Sequence, residues 1–151
     1  MKSTVRILAM AVIALSLVSL IMGIVFLQQG FSKQSWIVDT MKEEKITFEI
    51  DGTETVIDNA RKAQIAGDTV REHRHSIAPT YGDLLGGAQF NPEDPRQLTY
   101  AQALNLENYL YLAVATFGLI TVVLASGASM IVTGLALGLT GFALLKVSGN
   151  R

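Results

Sequence analysis

The chain has 151 residues, half of them apolar, with a formal net charge of −1 and no cysteine. That length fits one folded unit. The lack of thiols excludes disulfides and thiolate metal sites, and no basic patch is dense enough to suggest a nucleic-acid partner.

The charges are unevenly placed. All 13 Asp and Glu fall between Asp39 and Glu107, so residues 28–108 carry eight Lys/Arg against 13 acids, a charge of −5. The only charged side chains outside that segment are Lys2, Arg6, Lys146 and Arg151. This is the layout of a chain that threads a bilayer and presents one polar domain. The fold class expected is an all-α membrane protein with three transmembrane helices, one N-terminal and two forming a C-terminal helical hairpin. A small α+β polar loop domain lies between them.

A basic tail, 1–6, precedes the first span, 7–27. Its 21 uncharged residues extend roughly 30 Å as helix, about one hydrocarbon core. The run is too long for the apolar region of a signal peptide, and no small-x-small pattern follows it, so an uncleaved anchor is expected. Ser16, Ser19 and Gly23, spaced by three and four, put small residues on one face where another helix can approach. The plain alternative is a lipid-facing surface. Phe31 and Trp36 follow as candidate interfacial anchors, and the helix can continue through Phe31–Glu44.

The polar domain, 28–108, holds a hairpin over about 46–57, because Ile46–Ile50 alternates with period two and Asp51-Gly52 is a strong turn signal. A lone hairpin is marginal in water and should pack on a helix or another copy. Asp58 is a candidate N-cap for a helix over about 59–77, which Pro79 ends. Residues 79–98 read as loop, rich in turn residues. Thr99, with Gln102 three residues on, reads as a capping box opening an amphipathic lead-in helix over 99–108.

The uncharged run 109–145 has 37 residues, roughly 55 Å as one helix, nearly twice the hydrocarbon thickness. It therefore divides into spans at 109–125 and 130–145, with Ser126-Gly127-Ala128-Ser129 as the turn and a tail at 146–151. The competing arrangement is one bent, over-long helix or a re-entrant segment. Tyr109 and Tyr111 mark the membrane entry.

The basic residues before the first span place the N-terminus in the cytoplasm and the loop domain outside. Three spans then leave Lys146 and Arg151 on the disfavoured side, a conflict within this reading.

Gly134 and Gly138 form G-x-x-x-G, with Gly141 three residues beyond. Such a face packs closely, either against another span of the same chain or against a second copy or other membrane subunit. No ionisable side chain lies inside a span, which argues against an ion pathway or proton relay. Glu72 and His75 form Glu-x-x-His, half of a carboxylate-bridged di-metal pattern. A dimer could supply the rest, with Glu43, Glu44 or Glu107 as further ligands, but the bland reading is a solvated helix end. Tyr81, Trp36, Phe48 and Phe90 could line a pocket or simply be core. No catalytic or cofactor motif is present.

The expected function is therefore a non-catalytic accessory, scaffold or assembly subunit of a membrane complex, multi-pass in the cell membrane. Its partners would be the lipid bilayer and either its own copies or other membrane subunits. The alternatives are an anchored extracytoplasmic sensor or ligand-binding module, and an oligomeric metal-dependent enzyme using Glu72 and His75.

Overall fold

A computed structural model describes residues 2–43, 45–50 and 52–149. The elements in order are α1 (Lys2–Glu43), β1 (Thr47–Ile50), β2 (Thr53–Val56), α2 (Ala60–Ile77), α3 (Tyr81–Leu85) and α4 (Pro95–Gly149). The chain forms two compact units, one of residues 1–35 with 119–151 and the other of residues 36–118. Two helices, α1 and α4, are long and apolar enough to cross a membrane, and a small strand pair lies between them in the chain.

The expected C-terminal hairpin is not formed. Ser126, Gly127, Ala128 and Ser129 are all helical, and 109–125 and 130–145 are parts of the one helix α4. No proline follows Pro95, so the backbone ladder meets no obligate break. The start of the uncharged run also buries one face in protein, so its full length need not lie in lipid. Leu110, Ala113 and Val114 pack into the core of the 36–118 unit.

That core is built from small and branched side chains. Ile57, Ala63, Ala66, Val70 and Leu110 are buried, with Met41, Phe48 and Ala103 packed against them. On α2 the alanines stand where α4 passes, and a Cβ on Gly67 would lie 3.2 Å from the Tyr111 ring. The hairpin that covers this core pairs Thr47 with Val56 and Ile50 with Thr53, antiparallel. Its Asp51 lies outside the described residues, while Gly52 has φ +74°, the left-handed region that such a turn requires. The Ile57 N–H donating to the Ile46 carbonyl at 3.1 Å continues the ladder by one step. Glu49 stands directly opposite Glu54, a like-charge pair that weakens the hairpin.

The helix starts differ from expectation by a few residues. Asn59, not Asp58, caps α2, its side chain accepting from the Lys62 N–H at 3.0 Å. Asp58 instead pairs with the Lys62 ammonium at 2.9 Å, which holds its carboxyl below the ordinary value. The expected loop 79–98 contains α3, capped by Thr80 at its start and by Gly86 (φ +55°) at its end. Thr99 is not a cap, because α4 begins four residues earlier at Pro95. The Asp94 carboxylate accepts from the Arg96 N–H at 2.9 Å, and the Thr99 hydroxyl donates back to the Pro95 carbonyl at 2.8 Å. Asp94 and Pro95 are a standard N-cap and first-turn pair. The continuation expected over Phe31–Glu44 is helical through Glu43; Glu44 lies outside the described residues.

Candidate functional site

In the unit formed by 1–35 and 119–151, α1 and α4 pack antiparallel along a seam of small residues. On α1 the buried positions are Ala9, Ser16, Gly23 and Gly30, and on α4 they are Ile120, Gly127, Gly134 and Gly141. Each series advances by seven, the period that keeps one face toward a partner helix. The side chains and backbones interlock in register. A Cβ on Gly141 would lie 3.2 Å from the Ala9 carbonyl oxygen, and one on Gly127 would lie 3.0 Å from the Gly23 carbonyl oxygen. A Cβ on Gly134 would meet Leu20 at 2.7 Å, and one on Gly30 would meet Leu124 at 2.5 Å. At Gly127 and Gly141 backbone meets backbone, whereas at Gly30 and Gly134 a leucine side chain fills the space a Cβ would take.

Two hydroxyls cross the seam. Ser16 donates to the Gly134 carbonyl and Ser19 to the Met130 carbonyl, both at 2.7 Å. All six residues singled out for packing lie at this seam. Ser19 and Gly138 are half-buried and the other four buried; a Cβ on Gly138 would meet the Ser16 hydroxyl at 2.8 Å. Ala9, Gly30 and Gly127 were missed. Their signal is the seven-residue spacing, which extends Ser16–Gly23 and Gly134–Gly141 in both directions. Outside the seam this unit is apolar and exposed: Leu15 is 61% exposed, Val132 67% and Leu139 74%. Buried residues make up only 11% and 17% of the most apolar windows of α1 and α4, unlike the core helix of a water-soluble protein.

In the 36–118 unit the chemistry-bearing feature is a buried ion pair. The Arg74 Nε donates to Glu107 Oε2 at 2.6 Å and its Nη2 to Oε1 at 3.3 Å, a two-pronged contact between α2 and α4. Arg74 is 8% exposed and Glu107 6%. Arg74 Nη1 donates to the hydroxyl of fully buried Tyr100, and the guanidinium lies 5.0 Å from the centre of that ring. The hydrogen bonds to Glu107 push the Arg74 guanidinium above its ordinary value, so it stays charged. No buried side-chain nitrogen or oxygen among the described residues lacks a partner. This closed network joins two helices.

Glu72 and His75 lie beside Asp68 and Arg71 on an open, exposed patch of α2. His75 Nε2 is 3.1 Å from Arg74 Nη2. Arginine only donates, so this nitrogen is the acceptor. Glu107, considered as a further metal ligand, is committed to Arg74. Among the described residues no group of three or more His, Asp or Glu is placed to hold a metal ion. Of the aromatic candidates, Tyr81 and Phe90 line one open groove on α4, Phe48 packs on the core, and Trp36 is 62% exposed. No family model matches the sequence, and no curated protein or solved structure gives a significant match.

Proposed function

We propose that the protein is a non-catalytic accessory or assembly subunit of a membrane complex, crossing the bilayer twice. The observation that carries this reading is the small-residue seam between α1 and α4. From Ala9 to Gly30 the seam covers 22 residues of α1, roughly 33 Å of helix against a hydrocarbon core of about 30 Å. Between helices in lipid, apolar burial gives no drive. Close backbone packing and inter-helix hydrogen bonds are what hold a pair together, and this seam has both. Its outer surface is the exposed apolar belt that lipid requires.

Two antiparallel spans also remove the orientation conflict. Lys2 and Arg6 precede the first span, and Lys146 and Arg151 follow the second, so all four basic residues gather on one side. By the positive-inside rule that side is the cytoplasm, and the acidic domain between the spans stands outside. With no ionisable group along the seam, and with Arg74 and Glu107 satisfied by each other, the chain offers contacts rather than chemistry. Purification from native membranes in mild detergent tests this role. A second, different polypeptide at constant stoichiometry is expected. Recovery of this chain with no other polypeptide, or with intrinsic turnover, overturns it.

A further inference from the structure

The unit of residues 1–35 and 119–151 holds five basic side chains, Lys2, Arg6, Lys33, Lys146 and Arg151, and no acidic one. In the 36–118 unit the bases Arg74 and Lys62 meet the acids Glu107 and Asp58. The unit that holds the seam has no acidic side chain to do the same. Arg6 and Lys146 are exposed, and neither side chain makes a hydrogen bond or ion pair with another described residue. Both stand toward one end of the seam, where Gly141 packs on the Ala9 carbonyl. Arg6 lies three residues before Ala9 and Lys146 five beyond Gly141, roughly 5 and 8 Å past that contact. Each adjoins the end of an uncharged run, Arg6 at Ile7 and Lys146 at Leu145. The two charges therefore share one level, at the rim of the apolar belt. In the sequence Lys2 precedes Arg6 by four residues and Arg151 follows Lys146 by five, so the stretches 1–6 and 146–151 together carry +4 in side-chain charge.

We infer that this end of the α1–α4 pair binds the headgroups of anionic phospholipids, with Arg6 and Lys146 as the contacts nearest the acyl chains. The inference rests on the bilayer crossing proposed above, which sets the rim of the apolar belt at headgroup level. There the counter-charge comes from outside the unit. A phosphodiester suits both side chains, since guanidinium and ammonium each donate to phosphate oxygens. Every phospholipid has that group, but a zwitterionic headgroup also brings its own cation. Four like charges with no acid among them repel that cation and favour a headgroup of net negative charge. Clusters of about four to eight Lys/Arg beside a span are attracted to anionic lipid in this way, by roughly fivefold per side chain. The long aliphatic stems let both charged heads reach outward from the rim.

The full-length protein in phosphatidylcholine vesicles tests this. Trace spin-labelled phosphatidylglycerol and phosphatidylcholine with the same acyl chains are compared for the fraction immobilised on the protein. The wild type should prefer the anionic lipid by roughly fivefold or more. The preference should collapse in about 1 M salt, where charges are screened beyond ~3 Å. Arg6→Gln/Lys146→Gln should lose most of it, at exposed positions whose replacement leaves thermal stability in detergent unchanged. Arg61→Gln, at an exposed base of the 36–118 unit, should keep it. Equal association of the two lipids, an unchanged preference in the double variant, or an equal loss in Arg61→Gln overturns the inference. Displacement by inorganic phosphate at constant ionic strength overturns it too, marking a free-anion site. Alkaline extraction of the same vesicles separates this inference from the reading it rests on. Protein that stays embedded without the preference sinks the lipid site alone, whereas protein that is released sinks the bilayer crossing and the lipid site with it.

Discussion

Replacing Glu107 with leucine gives the strongest energetic test of how the 36–118 unit is held together. The substitution leaves the Arg74 guanidinium, 8% exposed, without its counter-charge and without two acceptors at 2.6 and 3.3 Å. Removing one partner of a buried pair costs about 3–5 kcal/mol. That is a large share of the roughly 5–15 kcal/mol that stabilises an ordinary domain. The pair itself is not the source of net stability, since apolar replacement of both partners is often neutral. In Arg74→Met/Glu107→Leu the remaining defect is the buried Tyr100 hydroxyl, which loses its donor partner and costs about 1–3 kcal/mol. The double variant should therefore be more stable than Glu107→Leu alone. Adding Tyr100→Phe should recover part of the rest.

Amide hydrogen exchange of α2 reads this directly in the full-length protein in detergent. At about 1.4 kcal/mol per tenfold, the single variant should speed exchange of the α2 core amides by roughly two to three and a half orders of magnitude. An effect below about tenfold for Glu107→Leu, or a double variant as impaired as the sum of the singles, would refute the reasoning.

The seam between α1 and α4 should discriminate sharply between glycines. Gly127→Leu drives a side chain into the Gly23 backbone and should cost about 1–3 kcal/mol or more by overpacking. Gly118→Leu, on the same helix with nothing within 4 Å of its Cβ direction, should be tolerated; detergent thermal stability distinguishes them. Ser16→Ala should cost only about 0.6 kcal/mol, the usual size of a hydrogen bond between spans, because the Gly134 carbonyl keeps its helical N–H donor. A loss above about 2 kcal/mol would contradict that range. On the domain, Glu54→Lys replaces the like-charge pair with Glu49 by an attractive one. It should stabilise the hairpin by about 0.2–1 kcal/mol, seen as slower exchange of the strand amides. Hydrogen bonds from Tyr111 and Gln64 hold the Asp68 carboxyl below its ordinary value of 3.8. Its contribution is present above that value and lost as pH falls through the lower folded one. A carboxyl titration by NMR should show the depression reduced in Tyr111→Phe, and an unchanged value would rule out the hydrogen bond as its main cause.

The sequence made some features legible and disguised others, for physical reasons. The hairpin and α2 stand within a residue or two of where alternation, Asp-Gly and Pro79 put them, because turn and breaker chemistry is local. Cap positions moved because adjacent residues compete: Asp58 and Asn59 can both cap, and Asp94-Pro95 starts a helix sooner than Thr99. The larger difference lies at Gly127: Gly and Ser serve both turns and close helix contacts, and in Ser126-Gly127-Ala128-Ser129 the helix contact prevails. The seven-residue series through Gly127, Gly134 and Gly141, mirrored by Ala9, Ser16, Gly23 and Gly30, identifies the contact instead. Length alone does not divide the uncharged run, because Leu110, Ala113 and Val114 serve the core of a polar domain rather than lipid. The Arg74–Glu107 pair joins residues 33 apart in sequence, and local patterning cannot announce such a partner.

If α1 and α4 both cross the bilayer, as proposed, both chain ends lie on one side and the acidic domain on the other. Single cysteines at Ser3, Ser76, Val132 and Ser148, labelled in sealed vesicles of known orientation, decide this; Val132 is 67% exposed on the outer face of α4 and leaves the seam intact. Labelling of Ser3→Cys and Ser148→Cys is expected from the cytoplasmic side only, of Ser76→Cys from the opposite side only, and of Val132→Cys from neither. Labelling of Ser148→Cys from the same side as Ser76→Cys would contradict it and restore a third crossing.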